Sequence, residues 1–146
     1  MVHVNQHSDD VIAAVCSRVS VSELTEPAPS PQQREHIFRA ALRAPDHGQL
    51  RPWRFLCVEG EERLQVGHII ADVEAQCYGE LNEVQRQKSA HRLLRAPLVL
   101  LIVAHISEHA KVPDVEQIMS TAAAVQNMLI VAHAMGVGAM WRSGLV

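Results

Sequence analysis

Eight consecutive residues, Pro97-Leu-Val-Leu-Leu-Ile-Val-Ala104, carry neither a charge nor a polar side chain. A run this short and this rich in β-branched residues reads as a strand, and a strand apolar on both faces must be covered on both. The chain offers cover in the same region. Pro113 opens a long helix running to Met135, in which Ala122–Val125, Met128, Leu129, Val131 and Ala132 leave little polar surface. A helix apolar nearly all round is expected to lie deep in the subunit or across a dimer contact. Gly136 suits the C′ position that ends it, and Val137–Trp141 then reads as the start of another strand. The pattern is one of helices wrapped on a central sheet.

The remaining segments fit that frame. Ser8 reads as an N-cap, with Asp9 and Asp10 near the positive end of the dipole, and Val11, Ile12 and Val15 give residues 9–17 an apolar stripe. Three prolines make Thr25–Pro31 an extended connector. Ser30, Pro31 and Gln33 form an N-cap, a first-turn proline and a capping box, and Ile37, Ala40, Ala41 and Ala44 continue the helix until Pro45 stops it. Arg54–Glu59 reads as a strand ending at Gly60. Glu61–Tyr78 reads as a helix with Leu64, Gly67, His68, Ile69 and Ala71 toward its inner side, and Glu83–Leu94 as a further polar helix or lid.

Composition narrows the function classes. A chain of 146 residues makes a single domain, residues 1–146, with a core of its own. Hydrophobic residues at 48% and charged residues at 20% exclude disorder. Thirteen basic against sixteen acidic residues give a net charge of −3, and aromatics are 3%, so nucleic acid is not the expected partner. The apolar runs Pro97–Ala104 and Ala122–Ala132 fall short of the roughly 20 residues of a membrane helix, so no membrane partner is expected. Cys16, Cys57 and Cys77 are odd in number and share no CxxC spacing, which signals neither a disulfide framework nor zinc. The polar, acidic Met1–Asp10 lacks the form of a secretion signal, and the expectation is a reduced, cytoplasmic protein.

Four groups of residues are candidates for chemistry. Arg18-Val-Ser-Val-Ser22 combines a guanidinium with hydroxyls, a donor set suited to phosphate, although taken alone it reads first as a solvated arginine beside serines in a turn. Arg43-Ala-Pro-Asp-His47-Gly-Gln-Leu-Arg-Pro-Trp-Arg54 is a helix end followed by a donor-rich loop, either a site or an ordinary C-cap. Trp141-Arg-Ser-Gly144 follows the last strand reading, where ligands favour strand ends, and is otherwise a surface turn. Nine histidines complete the set. His105 and His109 are four apart, as on a helix, but Ile102–His105 reads as strand and no carboxylate or third ligand is suitably spaced, so no metal site is expected. His68 and His133, on apolar helices, read as satisfied core histidines. No GxSxG elbow or Cys/His pairing points to a side-chain nucleophile, so no catalytic residue is named.

Taken in order, these segments resemble the nitroreductase family, in its compact NAD(P)H nitroreductase branch. The resemblance is carried by Ser17-Arg-Val-Ser-Val-Ser-Glu-Leu-Thr-Glu-Pro-Ala-Pro29, Arg39-Ala-Ala-Leu-Arg-Ala-Pro-Asp-His47, Arg51-Pro-Trp-Arg-Phe55, Val58-Glu-Gly-Glu61, Arg95-Ala-Pro97, Lys111-Val-Pro113, Glu116-Gln117 and Trp141-Arg-Ser-Gly144. It implies an α+β fold with a central mixed sheet wrapped by helices, in a homodimer that binds FMN. It also implies an oxidoreductase that passes two electrons from NADH or NADPH through the flavin to nitroaromatics, quinones or similar acceptors. By position it makes Arg18, Val19 and Ser20 flavin contacts, with Arg18 and Ser20 on the phosphate. Arg43 and His47 fall on a second flavin-binding segment, and Trp141, Arg142 and Ser143 on the segment lining the ring. A pyridine-nucleotide contact falls on Val131, Ala132, His133, Ala134, Met135 and Gly136.

Two departures qualify what the resemblance implies. Val19 stands where a second basic residue is usual, which removes one charge-assisted phosphate contact worth about 1.5–3 kcal/mol. The sequence also stops at Val146, short of the helix, strand and tail that family members continue through. The expectation is a fold incomplete at its C-terminal end and a sheet with an exposed edge. The alternative function is then a truncated, non-catalytic remnant that at most binds flavin. An interaction module built on the 113–135 helix would need that helix exposed.

Overall fold

The computed structural model describes residues 8–143. The residues before Ser8, and Gly144 of the Trp-Arg-Ser-Gly motif, lie outside the described residues. In chain order the elements are α1 (Ser8–Ser17), α2 (Pro31–Ala41), a 3-10 turn (His47–Gln49), β1 (Trp53–Glu59), α3 (Glu62–Tyr78), α4 (Glu83–Ala90), a second 3-10 segment (His91–Arg95), β2 (Leu98–Ala104) and α5 (Asp114–Ala134). Helices and strands together make the fold α+β. Two compact units are formed.

The first unit comprises the described part of Met1–Val21, with Pro29–Trp53 and Ala104–Met140. The capping box read from the sequence is present: Ser30 Oγ accepts from the Gln33 N–H at 3.3 Å and Gln33 Oε1 accepts from the Ser30 N–H at 2.9 Å. Ile37, Ala41, Ala44, Ala124, Val125, Met128 and Ala132 are buried where α2 packs on α5. Four polar side chains of α5 also serve backbone carbonyls of neighbouring segments. Ser120 Oγ donates to the Pro45 carbonyl at 2.5 Å, Thr121 Oγ1 to Pro52 at 2.7 Å, Asn127 Nδ2 to Ala40 at 3.2 Å and Gln117 Nε2 to Ser107 at 2.8 Å. Each bond gives a partner to a loop or helix-end carbonyl that would otherwise be orphaned.

Helix α5 is not buried within the subunit on every face, so the first of the two placements read for it does not hold. Its buried face is the stripe Gln117, Ser120, Thr121, Ala124, Val125, Met128 and Ala132, while Val115, Ile118 and Met119 are exposed, so the helix is not buried all round among the described residues. Apolar content does not tell which faces a helix finds cover for. Val11, Ile12 and Val15 of α1 are likewise exposed, and α1 begins one residue earlier than read, with Ser8 already helical. Gly136 does end α5 as expected, at φ 74°. Its N–H donates to His133 at 2.9 Å and the Val137 N–H to Ala132 at 2.9 Å, the paired bonds of a Schellman motif. Residues 137–141 form no strand. The Ala139 carbonyl accepts from Val21 at 3.1 Å, but one bond is not a ladder.

The second unit holds Ser22–Ala28, Arg54–Val103 and the residues from Trp141. Strands β1 and β2 make a two-stranded sheet, so the mixed sheet of the sequence reading is not present in the described residues. β2 is only half-buried and its last two residues are exposed, short of the two-sided cover its composition asked for. The buried stripe of α3 is Gly67, Ala71 and Glu74. His68 and Ile69 follow Gly67 at about 100° and 200° round the helix and are exposed, so His68 is not a core histidine. The segment read as one helix to Leu94 divides at Ala90, with α4 giving way to the 3-10 segment His91–Arg95. An Asn82–Gln85 capping box starts α4, each bond 3.0 Å.

Glu74 is the buried carboxylate of this unit. Ser89 Oγ donates to its Oε2 and the Arg92 guanidinium lies 2.7 Å from its Oε1. Burial alone would push its pKa up, but the Ser89 hydroxyl and the Arg92 guanidinium together hold it below the ordinary value.

Candidate functional site

Within the first unit, a cleft of about 300 Å³ opens where the end of α1 meets the end of α5. One wall is Arg18, Val19 and Val21, from the segment leaving α1. The other is Leu129 and His133 of α5 with Gly136, Val137, Gly138 and Ala139 beyond it. Three features hold the walls together. Ser17, the last residue of α1, places Oγ 2.9 Å from His133 Nε2 and donates to the Ala13 carbonyl at 2.6 Å. The Val21–Ala139 backbone bond ties the segment after α1 to the segment after α5. The left-handed turn at Gly136 redirects the chain after α5 along the cleft, a conformation open to glycine at little cost.

The charge of the cleft is one-sided. Arg18 is half-buried, it is the only formally charged side chain of the lining, and it pairs with no carboxylate among the described residues. It follows the C-terminal end of α1, whose partial negative charge stabilises a guanidinium. His133, also half-buried, occupies the last turn of α5. The rest of the lining is apolar side chain and backbone. A guanidinium without an acidic partner beside an apolar wall suits an anionic group carried on an apolar body.

The residues singled out from sequence fall in different places. Arg18 and Val19 line the cleft together with His133 and Gly136, so members of two separately read groups share one wall-to-wall space. Ser20 is exposed between two lining residues. Val131, Ala132, Ala134 and Met135 belong to the last turn and cap of α5 without lining the cleft, Ala132 being buried. Arg43 is exposed just past the end of α2. His47 is exposed in the 3-10 turn, with Nδ1 2.8 Å from Glu116 Oε2, and neither residue lines this cleft. Trp141, Arg142 and Ser143 are exposed and irregular, and they belong to the second unit.

Sequence reasoning missed Ser17 and Leu129 as builders of the site. The loop that carries His47 is also more strained than its composition suggests. Gly48, Gln49 and Arg51 all have positive φ, at 75°, 53° and 47°, and Asp46 Oδ2 accepts from the Arg51 N–H at 2.7 Å. Non-glycine residues in that region cost about 1 kcal/mol or more each and persist only where the surroundings impose them.

A family model described as "Nitroreductase family" matches residues 15–145. The chain is 38% identical over 135 residues to the Escherichia coli K12 protein named "Putative NAD(P)H nitroreductase YdjA", covering 92% of this chain and 73% of the relative. It is 36% identical over 136 residues to the Haemophilus influenzae protein named "Putative NAD(P)H nitroreductase", again covering 92% of this chain and 73% of the relative. Among solved structures, a nitroreductase-like family protein from Bacillus cereus superposes with a TM-score of 0.71 at 22% identity, over 99% of this chain and 73% of that one. A Desulfovibrio desulfuricans structure, described as a nitroreductase in complex with FMN, superposes with a TM-score of 0.67 at 24% identity, over 91% of this chain and 67% of that one.

Proposed function

Because the chain belongs to the nitroreductase family, we propose that it is an FMN-dependent oxidoreductase. In this reading it passes two electrons from NADH or NADPH to a nitroaromatic, quinone or similar small acceptor. The observation that carries the proposal is the Arg18 cleft: a half-buried guanidinium with no acidic partner among the described residues, facing an apolar wall. The donor set fits the phosphate end of a flavin mononucleotide. The guanidinium matches two phosphate oxygens, and no carboxylate in the lining opposes the dianion. The names of the bacterial relatives and the FMN complex of the Desulfovibrio protein support the same donor and cofactor.

Each residue of the site has a role in this reading. Arg18 and Ser20 hold the phosphate and Val19 packs beside it. Arg43 and His47 belong to a second flavin-binding segment. Trp141, Arg142 and Ser143 line the ring, where backbone N–H groups stabilise negative charge. Val131, Ala132, His133, Ala134, Met135 and Gly136 meet the pyridine nucleotide. The bound flavin supplies the hydride chemistry, and the chain supplies position, charge and exclusion of water. No side chain need act as nucleophile. Residues 1–146 are read as part of a single nitroreductase-like domain, supported by one family model covering 15–145. The reading includes a homodimeric, cytoplasmic protein, and none of the described helices is long and apolar enough to cross a membrane.

A visible absorption spectrum of the purified protein, before and after incubation with FMN and desalting, tests the proposal. Retained flavin bands together with NAD(P)H oxidation support it, and a protein that stays colourless overturns it. Flavin retention without NAD(P)H oxidation by any tested acceptor would leave a flavin-binding protein in place of an oxidoreductase.

A further inference from the structure

We propose that His133 is a second, proton-dependent cation of the Arg18 cleft, taking up a proton at Nδ1 when a phosphate monoester dianion binds beside Arg18. The inference rests on the cleft being the flavin phosphate site. It goes further by moving His133 from the pyridine-nucleotide contact to the flavin phosphate, since it shares the cleft with Arg18, and by making cofactor affinity a function of pH through that imidazole.

The Ser17 hydroxyl assigns the tautomer. Its single proton is donated to the Ala13 carbonyl at 2.6 Å, and a carbonyl can only accept. Ser17 Oγ therefore has only lone pairs to offer His133, and at 2.9 Å the Nε2–H of the imidazole is the donor. Nδ1 is left as the nitrogen whose state is open, and no hydrogen bond among the described residues uses it. In the neutral ring it presents a lone pair, which repels phosphate oxygens. In the imidazolium it presents an N–H and a charge, which attract them.

The surroundings couple that proton to an anion. His133 lies in the last turn of α5 and against Ser17, the last residue of α1, so its ring sits where two helix C-termini meet the cleft. Arg18 lines the same cleft and opposes a second positive charge. A dianion bound by Arg18 removes that opposition and adds attraction, so proton and phosphate each strengthen the binding of the other. The titratable or charged side chains on the packed elements are Asp9, Asp10 and Cys16 of α1, Arg18 beyond it, Arg34, Glu35, His36 and Arg39 of α2, and His47 of the 3-10 turn. On α5 itself they are Asp114 and Glu116. Of all these, only Arg18 shares the cleft lining with His133.

The test is a fluorescence titration of FMN and of riboflavin into the wild type and His133→Gln, at about pH 6 and about pH 8.5, either side of the range in which histidine changes charge. Glutamine keeps an N–H for Ser17 but cannot titrate. The second ionisation of the phosphate acts on both proteins alike, so the readout is the ratio of their FMN affinities. That ratio is expected to rise in favour of the wild type, by up to about tenfold, on going to the lower pH, because only the wild type gains a cation there. The riboflavin ratio should stay level. An FMN ratio that does not change with pH, or a riboflavin ratio that changes equally, overturns the inference while leaving flavin binding intact. Absence of FMN binding by the wild type at both pH values overturns the proposed function itself. Should His133→Gln fail to fold, proton NMR of the wild-type imidazole decides, with an upward shift of its titration on adding FMN expected and no shift counting against.

Discussion

The side-chain amide of Gln117 pairs with both backbone polar groups of Ser107, accepting from its N–H at 3.0 Å and donating to its carbonyl at 2.8 Å. It donates also to the Val112 carbonyl at 3.3 Å. A fully buried glutamine thus does for the connection between β2 and α5 what a neighbouring strand does for a ladder. Gln117→Leu keeps the volume and removes all three bonds. Loss of about 1–3 kcal/mol is expected, because three backbone groups lose their partner and the buried Val112 carbonyl, unlike those of exposed Ser107, cannot regain water. Urea unfolding with an unchanged slope checks it, and a neutral result would show that the connection is held by other means.

Gly67 packs under α4. A Cβ built on Gly67 would lie 1.8 Å from the Ala90 carbonyl oxygen and 2.7 Å from its carbon, both backbone atoms that cannot turn aside. Gly67→Ala should destabilise the second unit by about 2–3 kcal/mol, an overpacking cost that outweighs the better helix propensity of alanine. Thermal unfolding reads it. Gly136→Ala meets nothing within 4 Å and keeps only the cost of a positive φ, about 1 kcal/mol, so Gly67→Ala should be the worse of the two.

Glu74 gives the second unit an acid-sensitive contribution. Its folded value lies below that of the unfolded chain, so the stabilisation is fully present above the ordinary carboxylate value of 4.5 and is lost as pH falls through the folded value. Glu74→Gln should cost about 2 kcal/mol near neutrality, where a charge-assisted contact is lost. The gap between wild type and variant should close on acidification. A gap that stays constant down to acid unfolding would remove the carboxylate from the account.

Arg18→Ala tests the phosphate end of the cleft. A bound FMN phosphate would lose its charged partner, at about 2 kcal/mol or more, while riboflavin, which lacks the phosphate, should bind as before. Equal affinity of wild type and variant for FMN would put the phosphate elsewhere.

Features written in a few adjacent residues were legible from the chain alone. The Ser30–Gln33 capping box, the stop before Pro45, the glycine cap at Gly136 and the bounds of β2 all follow from bonds or clashes within about one turn. The start of α4 is written just as locally, in Asn82 and Gln85, but a polar run without an apolar period hides where it gives way to its 3-10 segment at Ala90. Other readings failed for want of a partner. Whether Val137–Trp141 is a strand depends on a neighbour's free edge, and which face of α5 is buried depends on what packs against it. His68 illustrates the same limit, since the closest approach on α3 was made by a glycine one residue away.

Arginine, hydroxyls and apolar helix were all present in the sequence, and so were the ordered motifs that carry family membership. Tertiary structure alone decided that Ser17 meets His133 across 116 residues, and that Arg18 faces the end of α5 with no acid beside it among the described residues. Local patterns follow from forces that act over one turn of backbone. A cleft depends on which distant carbonyls and side chains reach each other once loop entropy has been overcome, and adjacency in sequence carries no record of that.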